Sequence, residues 1–469
     1  MSKRMIVVGL DCLEPSLAFE AWKDSMPTLH GLMTAGMYGR MRSVVPPITV
    51  PAWQCMATGR DPGVLGVYGF RNRKDYGYDD HVLADGRSVR SPRVWDRLSR
   101  AGKRSVLLGV PQTWPPRPLN GAMISGFPLP RPDGVYTYPA SLKKEILEVV
   151  DYIPDVAEFR LEDREAVLGR IVEITRRRFR LASYLLEKKP WDFFMMVEMG
   201  TDRVVHLLWR HADPGHRFHE PGHPLNDAMR DYYALCDGLV GELLAPYLGK
   251  QDTAVAVVSD HGARGMQGGV RINEWLLANG YLTLHRRPPE PASMGEIVRK
   301  GWVDWSATRA WAEGGYYARV MLNVRGREPH GAVDPADAPS LKEALAEGLA
   351  SIPDEKGNPL DTRVFDPLDI YKEVRNIPPD LMVVFGDLAW RAMGTVQPEE
   401  GASLHVFEND TGPDDANHNW EGVFVLAGDG IPPRGELGPL SLLDFAPTVL
   451  QWMEQPVPPD LQGRSVLKD

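Results

Sequence analysis

Seven side chains in this sequence of 469 residues are of types that bind divalent cations or attack an electrophile. They are dispersed along the chain, yet each lies close to a predicted strand end or helix start. In an open α/β sheet such positions converge on one edge. Three carboxylates, three imidazoles and one hydroxyl at that edge would suit a pair of metal ions acting on a phosphoryl group. The seven are Asp11, Thr49, Asp202, His206, Asp260, His261 and His418.

The adjacent pair Asp260 and His261 is the most specific local signal. The pair follows the apolar run Thr253–Ser259, and a carboxylate at the end of a buried strand needs a partner or a metal. Asp11 follows the apolar run Met5–Leu10 in the same way. Its alternative role is to cap the helical segment that comes next. Both positions suit metal ligands at a strand terminus.

Asp202 and His206 are four residues apart, downstream of the apolar run Phe193–Val197. This spacing places both side chains on one face of a helix, where they can share one zinc ion. The alternative is an aspartate at a helix start and an unrelated surface histidine. The spacing alone does not decide between these interpretations.

Thr49 lies just ahead of Pro51, which fits the first position of a helix because its missing N–H costs nothing there. A helix amino end favours an anionic phosphate, and a hydroxyl beside a metal can attack phosphorus. In isolation, the pattern favours an ordinary threonine in a proline-rich turn. His418 precedes an apolar run and is a weak signal by itself.

Short apolar runs, several rich in β-branched residues, predict buried strands, and amphipathic stretches at Ala166–Glu187 and Asn226–Tyr247 predict helices between them. Strands that alternate with helices are typical of an α/β fold with a mainly parallel central sheet. The runs are Met5–Leu10, Arg104–Gly109, Phe193–Val197, Thr253–Ser259, Leu381–Phe385 and Gly422–Ala427.

Residues 262–380 differ from the rest, since they are rich in Gly, Pro and Trp and have weaker periodicity. We interpret them as an inserted cap or substrate region. The catalytic core would then consist of residues 1–261 and 381–469, with the chain returning to the sheet near Leu381. The polar stretches 70–92 and 210–224 are predicted to be loops.

The formal net charge of −10 argues against binding to a nucleic-acid polymer, which needs a basic surface. A small phosphorylated substrate held by metals is compatible with this charge. The sequence contains no run of about 18 apolar residues, so no membrane span is expected. The amino-terminal residues lack the pattern of a signal peptide, and three cysteines are too few for a disulfide framework. We therefore expect a cytoplasmic location; the oligomeric state is not predicted.

Taken together, the motifs resemble the alkaline phosphatase superfamily, in particular its type I phosphodiesterase and nucleotide pyrophosphatase branch. The resemblance extends over nearly the whole chain and preserves the order Asp, Thr, Asp-x-x-x-His, Asp-His, His. Its segments are VVGLDCLEP, MPTLHGLMTAGMYGRMRSVVPPITVPAWQCMATGRDPG, TDRVVH, VVSDHGA, NVRGREPHG, HNWEGVFVLAGDGI and LLDFAPTVLQWMEQPVPPDLQGRSV.

This resemblance implies an alkaline-phosphatase-like fold, with helices on both faces of the sheet, and two metal ions. Zinc is expected, and manganese is also compatible with mixed Asp and His ligands. The two ligand sets would be Asp11, Asp260 and His261, and Asp202, His206 and His418. Thr49 would bridge at the first set and attack phosphorus in a diester or pyrophosphate. Water would then hydrolyse the phosphothreonine intermediate.

The sequence departs from the branch in the region that contacts the substrate phosphate. Leu65-Gly66 replaces the usual His-Gly, and the position of a phosphate-contacting asparagine aligns near Phe70. Nearby polar residues could replace that asparagine as donors, and two arginines in the cap region could reach the phosphate or the leaving group. Each of them could equally be a structural loop residue. The candidates are Arg71, Asn72, Arg73, Arg325 and Arg327.

Other functions fit the same scaffold less well. A phosphomonoesterase would favour an added arginine or a third metal, and a sulfatase would need a C/S-x-P-x-R motif at Thr49. Mutase-type phosphotransferases use a serine nucleophile and a different ligand set, and a non-catalytic binding member would be expected to lack a ligand. A separate group of histidines has irregular spacing that favours a solvated loop over a metal cage. It comprises His211, His216, His219 and His223.

Overall fold

The computed structural model describes residues 3–129, 133–156, 163–409 and 412–468. Its strands, in chain order, are β1 (Arg4–Leu10), β2 (Met37–Arg42), β3 (Arg71–Arg73), β4 (His81–Leu83), β5 (Ser105–Leu108), β6 (Gly121–Ile124), β7 (Thr137–Tyr138), β8 (Phe193–Glu198), β9 (Thr253–Val258), β10 (Gly262–Gly265), β11 (Gly268–Arg271), β12 (Ala292–Ser293), β13 (Ala310–Glu313), β14 (Ala318–Leu322), β15 (Arg363–Phe365), β16 (Leu381–Val384), β17 (Trp390–Met393), β18 (Thr395–Val396), β19 (His405–Val406), β20 (Ala416–Asn419), β21 (Glu421–Gly428), β22 (Gly435–Glu436) and β23 (Leu440–Ser441).

The α-helices are α1 (Pro27–Ala35), α2 (Thr49–Thr58), α3 (Pro62–Leu65), α4 (Val94–Arg100), α5 (Leu142–Leu147), α6 (Arg164–Lys188), α7 (Gly200–Ala212), α8 (Ala228–Leu244), α9 (Ile272–Ala278), α10 (Met294–Arg299), α11 (Ala338–Ala350), α12 (Pro367–Ile370) and α13 (Phe445–Trp452). The predicted helices at Ala166–Glu187 and Asn226–Tyr247 correspond to α6 and α8. Within the described residues, no helix is long and apolar enough to cross a membrane.

A large central sheet dominates the first of two compact units, which covers Met1–Gly69, Ala84–Ala263 and His418–Asp469. Its strand order is β22-β2-β21-β9-β1-β8-β5-β6-β7, with β23 paired to β2. β9, β1, β8, β5 and β6 are mutually parallel, whereas β21 runs antiparallel to both β9 and β2. Every residue of β8 and β9 is buried, because a parallel sheet is covered on both faces. The predicted α/β fold with a mainly parallel sheet is confirmed.

The second compact unit covers Phe70–Leu83 and Arg264–Asn417. It contains the four-stranded sheet β13-β14-β16-β15, in which every pair is antiparallel. An apolar core of its own includes Trp311, Phe385 and Leu345. The residues taken as polar loop at 70–92 contribute the hairpin β3–β4.

The expectation that Leu381 returns the chain to the central sheet is wrong. Leu381–Val384 forms β16, which pairs with β14 and β15 of the second unit. A buried apolar run predicts a strand but does not identify its neighbours, since partners are chosen by long-range packing. The second unit therefore extends from Arg264 to Asn417, beyond the cap region predicted to end at residue 380.

Candidate active site

Adjacent parallel strands bring five of the predicted donors to one edge of the central sheet. Asp11 follows β1, Asp260 and His261 follow β9, and α7, which carries Asp202 and His206, follows β8. Since β9, β1 and β8 are parallel neighbours, their carboxyl ends lie side by side. The predicted helical spacing of Asp202 and His206 is confirmed by α7.

Thr49 and His418 complete the cluster from other elements. The helix assigned from Thr49 has a non-helical backbone at Val50, so its regular part begins at Pro51, as the sequence predicts. His418 lies in β20, immediately before β21. All seven predicted residues are buried, Thr49 being the most exposed at 4%. So many ionisable groups away from water need partners or a metal.

The donor atoms form two overlapping groups of three, and within each group the atoms lie within 4.8 Å of one another. The groups are Asp202, His206 and His418, and Asp11, Asp202 and His261. The first group is the set expected from the sequence. The second contains Asp202 where the sequence predicted Asp260. Asp260 remains close, because its Oδ2 is 3.2 Å from His261 Nε2.

The Thr49 hydroxyl points into this cluster. Its Oγ1 lies 3.3 Å from Asp11 Oδ1, to which it donates a hydrogen bond, and 3.4 Å from His261 Nε2. The hydroxyl therefore lies next to two members of the second group, Asp11 and His261, where the ends of β1 and β9 meet the start of α2.

Contacts outside the cluster orient two of its carboxylates. Trp53 Nε1 donates to Asp11 Oδ2 at 2.6 Å, which leaves Oδ1 towards Thr49. The indole packs directly on β1, since a Cβ on Gly9 would lie 2.5 Å from its Cη2 atom. Arg203 donates to Asp202 Oδ2 at 2.6 Å. In each case one carboxylate oxygen is fixed by a neighbour and the other faces the cluster.

Arg203 lies within the TDRVVH motif but is not among the predicted site residues. Its guanidinium also contacts Asp155 through Nε at 3.0 Å and NH2 at 2.5 Å. The charge of Asp155 holds the arginine in place beside Asp202. Nothing in the sequence around Asp155 indicates this contact, because the two residues are joined only by the fold.

Backbone carbonyls orient two of the imidazoles. His418 Nδ1 is 2.9 Å from the carbonyl oxygen of Pro47, and His261 Nδ1 is 3.1 Å from that of Gly262. A neutral imidazole that donates through Nδ1 presents the lone pair of Nε2, which is the atom that faces the cluster. This arrangement is typical of histidine ligands whose second nitrogen is hydrogen-bonded to the protein.

The environment also keeps these imidazoles neutral. Burial lowers the pKa of His261 to about 4. Burial, together with the nearby His261 and His206 rings, lowers the pKa of His418 well below its ordinary value. A neutral imidazole is the form that binds a metal. Both rings are therefore in the ligand-competent form at neutral pH.

The surroundings shift the pKa values of the three carboxylates in different directions. Burial, followed by the charges of neighbouring carboxylates, raises the pKa of Asp11 and holds that of Asp260 well above its usual range. Burial acts the same way on Asp202, but His206 and Arg203 outweigh it and lower the pKa of Asp202. In the absence of a bound cation, each ionised carboxylate makes the ionisation of its neighbours less favourable.

Orphaned oxygen atoms provide a direct test of whether a metal fits. Asp202 Oδ1 and Asp260 Oδ2 are buried and accept no hydrogen bond from any residue that the structure describes. Leaving a buried carboxylate oxygen unsatisfied is costly, and a divalent cation would satisfy both. The mixed carboxylate and imidazole donors suit zinc or manganese. The residues present therefore fit the metal-binding expectation.

Two of the five predicted substrate-binding residues are part of a structural ion-pair network in the second unit. Arg73 and Arg327 both pair with Glu328, at 3.2 Å and 3.0 Å, and Arg327 also pairs with Asp380 at 2.7 Å. The side chain of Glu328 is fully buried. This arrangement matches the alternative of a structural salt bridge that the sequence left open for Arg327.

The other three candidates differ from one another. Asn72 is buried in β3, whereas Arg325 is exposed and pairs with Asp334 at 3.4 Å. Arg71 is exposed, and its carbonyl oxygen accepts a hydrogen bond from Arg319. Contact of any of them with a substrate stays a prediction.

The separate histidine group lies mostly in a loop, as predicted. His216, His219 and His223 fall in the turns that follow α7, and His219 and His223 are partly exposed. His211 is the exception, because it lies in α7 and is buried, and its ring stacks on that of His223 with centroids 4.3 Å apart. His216 is buried as well. Among the described residues, no group of three potential metal ligands includes any of the four.

Known proteins resemble this chain in sequence and in fold. Residues 5–414 match the family described as type I phosphodiesterase / nucleotide pyrophosphatase. Human ectonucleotide pyrophosphatase/phosphodiesterase 5 has a similar fold, with a TM-score of 0.55 and 14% identity over 97% of this chain and 96% of that one. A structure of the murine protein, an inactive threonine-to-alanine variant in complex with AMP, has a TM-score of 0.55 and 13% identity, again over 97% of this chain and 96% of that one.

Phosphonoacetate hydrolase from Sinorhizobium meliloti, in complex with phosphonoformate, gives a TM-score of 0.58 and 16% identity over 96% of each chain. The search of curated proteins found no match. The identities to these solved structures are low, so those similarities support the fold, whereas the family match spans most of the sequence. The chain belongs to the type I phosphodiesterase / nucleotide pyrophosphatase family of hydrolases.

Proposed function

We propose that this hydrolase cleaves phosphate diesters or pyrophosphates with Thr49 as its nucleophile and two divalent metal ions, expected to be zinc. The observation that carries the proposal is the position of Thr49 Oγ1, buried and within 3.4 Å of both Asp11 Oδ1 and His261 Nε2. A buried hydroxyl among metal-competent donors, next to a helix amino end, is placed for attack on an anionic phosphoryl group.

The metals would be held by Asp11, Asp260 and His261 and by Asp202, His206 and His418. Asp202 lies near both groups and could serve either. When bound, two such ions supply charge stabilisation to the attacking and leaving oxygens of an in-line displacement.

The chain's own residues would act in two steps. Thr49 Oγ1 forms a bond to phosphorus as the bond between phosphorus and the leaving oxygen breaks; the hydroxyl proton, held by Asp11 Oδ1 at the start, is released and the departing oxygen takes up a proton from solvent. A water molecule then attacks the phosphothreonine, and one of its protons goes to Thr49 Oγ1 as the bond between Oγ1 and phosphorus breaks, with net retention at phosphorus. The inactive threonine-to-alanine variant of the murine relative supports a threonine in this role.

A comparison of Thr49→Ala with Thr49→Ser tests the nucleophile. The alanine variant is expected to fold, to bind about two zinc ions per chain and to lose turnover. The serine variant keeps a hydroxyl and is expected to retain measurable turnover. Activity of Thr49→Ala comparable to that of the native chain would eliminate Thr49 as nucleophile.

The ester class is tested with bis-p-nitrophenyl phosphate against p-nitrophenyl phosphate. A diester carries one negative charge, so two metals and few additional donors suffice for it. We expect the diester to give the higher kcat/KM. Much faster turnover of the monoester would replace the diesterase proposal with a phosphomonoesterase on the same scaffold.

A further inference from the structure

The second unit contains a polar cavity of about 640 Å³ between the hairpin β3–β4 and the segments around α10, β13 and β17. All of its lining residues belong to this unit. The volume is within the range of sites for small molecules. No residue of the metal-binding cluster contributes to it, so the cavity needs an explanation of its own.

Arginines outnumber acids on the cavity wall. Four arginines and one histidine face three carboxylates. The arginines are Arg71, Arg299, Arg319 and Arg391. A concave surface with one sign of charge in excess attracts a counter-ion of the opposite sign.

Each acid of the wall already has a cation of its own. Glu313 is held between His81 Nε2 and Arg319 NH2, each at 2.6 Å. Asp79 pairs with Arg299 at 3.4 Å, and Asp80 with Lys74 at 2.7 Å. The three wall carboxylates are therefore already paired and do not supply a counter-charge for Arg71.

Arg391 has a carboxylate partner outside the wall, Asp414, at 3.7 Å. Arg71 is the remaining arginine. No carboxylate among the described residues forms an ion pair with the guanidinium of Arg71, which also donates no hydrogen bond there. Its backbone is fixed by a hydrogen bond from Arg319 to its carbonyl oxygen. An exposed cation on the cavity wall is thus left for a ligand.

Glycines form another part of the same wall. Gly314 and Gly394 approach so closely that a Cβ on Gly314 would lie 2.3 Å from the Gly394 nitrogen. Gly315 follows with a φ of +151° and no heavy atom within 3.5 Å of a Cβ built on it. Glycine allows a ligand to approach the backbone closely. Arginine side chains beside exposed backbone are a common arrangement for binding oxyanions.

We propose that this cavity binds a small molecule through an oxyanion, a phosphate or a carboxylate, with Arg71 as the principal cation. This reassigns Arg71 from a candidate substrate donor to a ligand site within the second unit. The inference does not rest on the proposed nucleophile or on the metal ions, since every residue in it lies outside the metal-binding cluster.

The test uses the full chain, stripped of metal with a chelator and then desalted, so that the metal-binding cluster does not retain the probe through a cation. Inorganic phosphate and citrate are titrated separately by calorimetry. We expect one of them, or both, to bind with one site per chain, and Arg71→Gln to weaken that binding about tenfold or more. Binding of one probe alone would assign the oxyanion as phosphate or as carboxylate.

Arg325→Gln is the matched control, because Arg325 is an exposed arginine of the same unit that does not line the cavity. It should leave the affinity unchanged. The proposal is overturned if neither probe binds, or if Arg71→Gln binds as tightly as the native chain. Arg71 is exposed, so its substitution is not expected to disturb folding, and circular dichroism of the variant verifies this.

Discussion

The two units each bury a cluster of charged side chains, and the clusters differ in how charge is balanced. In the second unit, Arg73 and Arg327 meet Glu328 and Asp380, so that two cations neutralise two anions. In the first unit, three aspartates and three histidines cluster with Thr49, and among the described residues Arg203 is the one arginine or lysine paired with them. The charges of the cluster in the second unit are neutralised by its own side chains. The cluster in the first unit carries excess negative charge, which a bound cation would neutralise. Charge balance thus distinguishes the structural cluster from the one to which we assign catalysis.

The largest expected effect comes from removing the metals. Chelation followed by desalting should reduce turnover to background, because the buried carboxylates lose the cations that let them coexist. The melting temperature should fall as well, since ligands that bind only the folded state stabilise it. Added zinc should restore both quantities. Full turnover in protein shown to be metal-free by elemental analysis would contradict the charge-balance argument.

Breaking the balanced cluster should affect stability and leave metal binding intact. Glu328→Gln leaves Arg73 and Arg327 without their shared anion, and we expect the free energy of unfolding of the second unit to fall by about 3 kcal/mol. Denaturant unfolding measures this loss. Glu373→Gln, which alters an exposed pair with Arg375, serves as the control and should change stability by less than about 0.5 kcal/mol. A loss of zinc content in Glu328→Gln would mean that the two clusters are not independent.

Removing the arginine paired with the metal cluster should weaken zinc binding. Arg203→Gln loses the guanidinium that fixes Asp202 Oδ2 and pairs with Asp155, and we expect a decrease in zinc affinity of about 10- to 100-fold. Competition with a chromogenic chelator measures the affinity.

Arg177→Gln is the comparison for that variant, because its ion pairs with Glu173 and Asp151 are exposed. It should bind zinc as the native chain does. Equal affinities in Arg203→Gln and Arg177→Gln would show that Arg203 does not position Asp202.

The smallest effect is expected at Trp53. Trp53→Phe keeps an aromatic ring against Gly9 but loses the hydrogen bond to Asp11 Oδ2, which should reduce the zinc affinity by about tenfold or less. Trp191→Phe removes a comparable buried hydrogen bond, to the Leu186 carbonyl, and should leave the affinity unchanged. If the two variants bind zinc equally, the Trp53 contact does not orient Asp11.

Local sequence patterns predicted the features that depend on neighbouring residues. The runs before Asp11 and Asp260 form strands, and the spacing of Asp202 and His206 places them on one helix. Features set by distant packing could not be predicted in the same way. The apolar run at Leu381 gave no indication that β14 and β15 would be its partners. The contact between Arg203 and Asp155 likewise arises only after the chain has folded.

The order of the donors along the chain has a consequence for biosynthesis. Asp11 is made early and His418 late, and the segments between them include the whole second unit. Until His418 has been synthesised, a nascent chain would hold only a partial set of the ligands and would bind a cation more weakly. In the proposed two-metal arrangement, binding of both ions would therefore have to wait for this last imidazole.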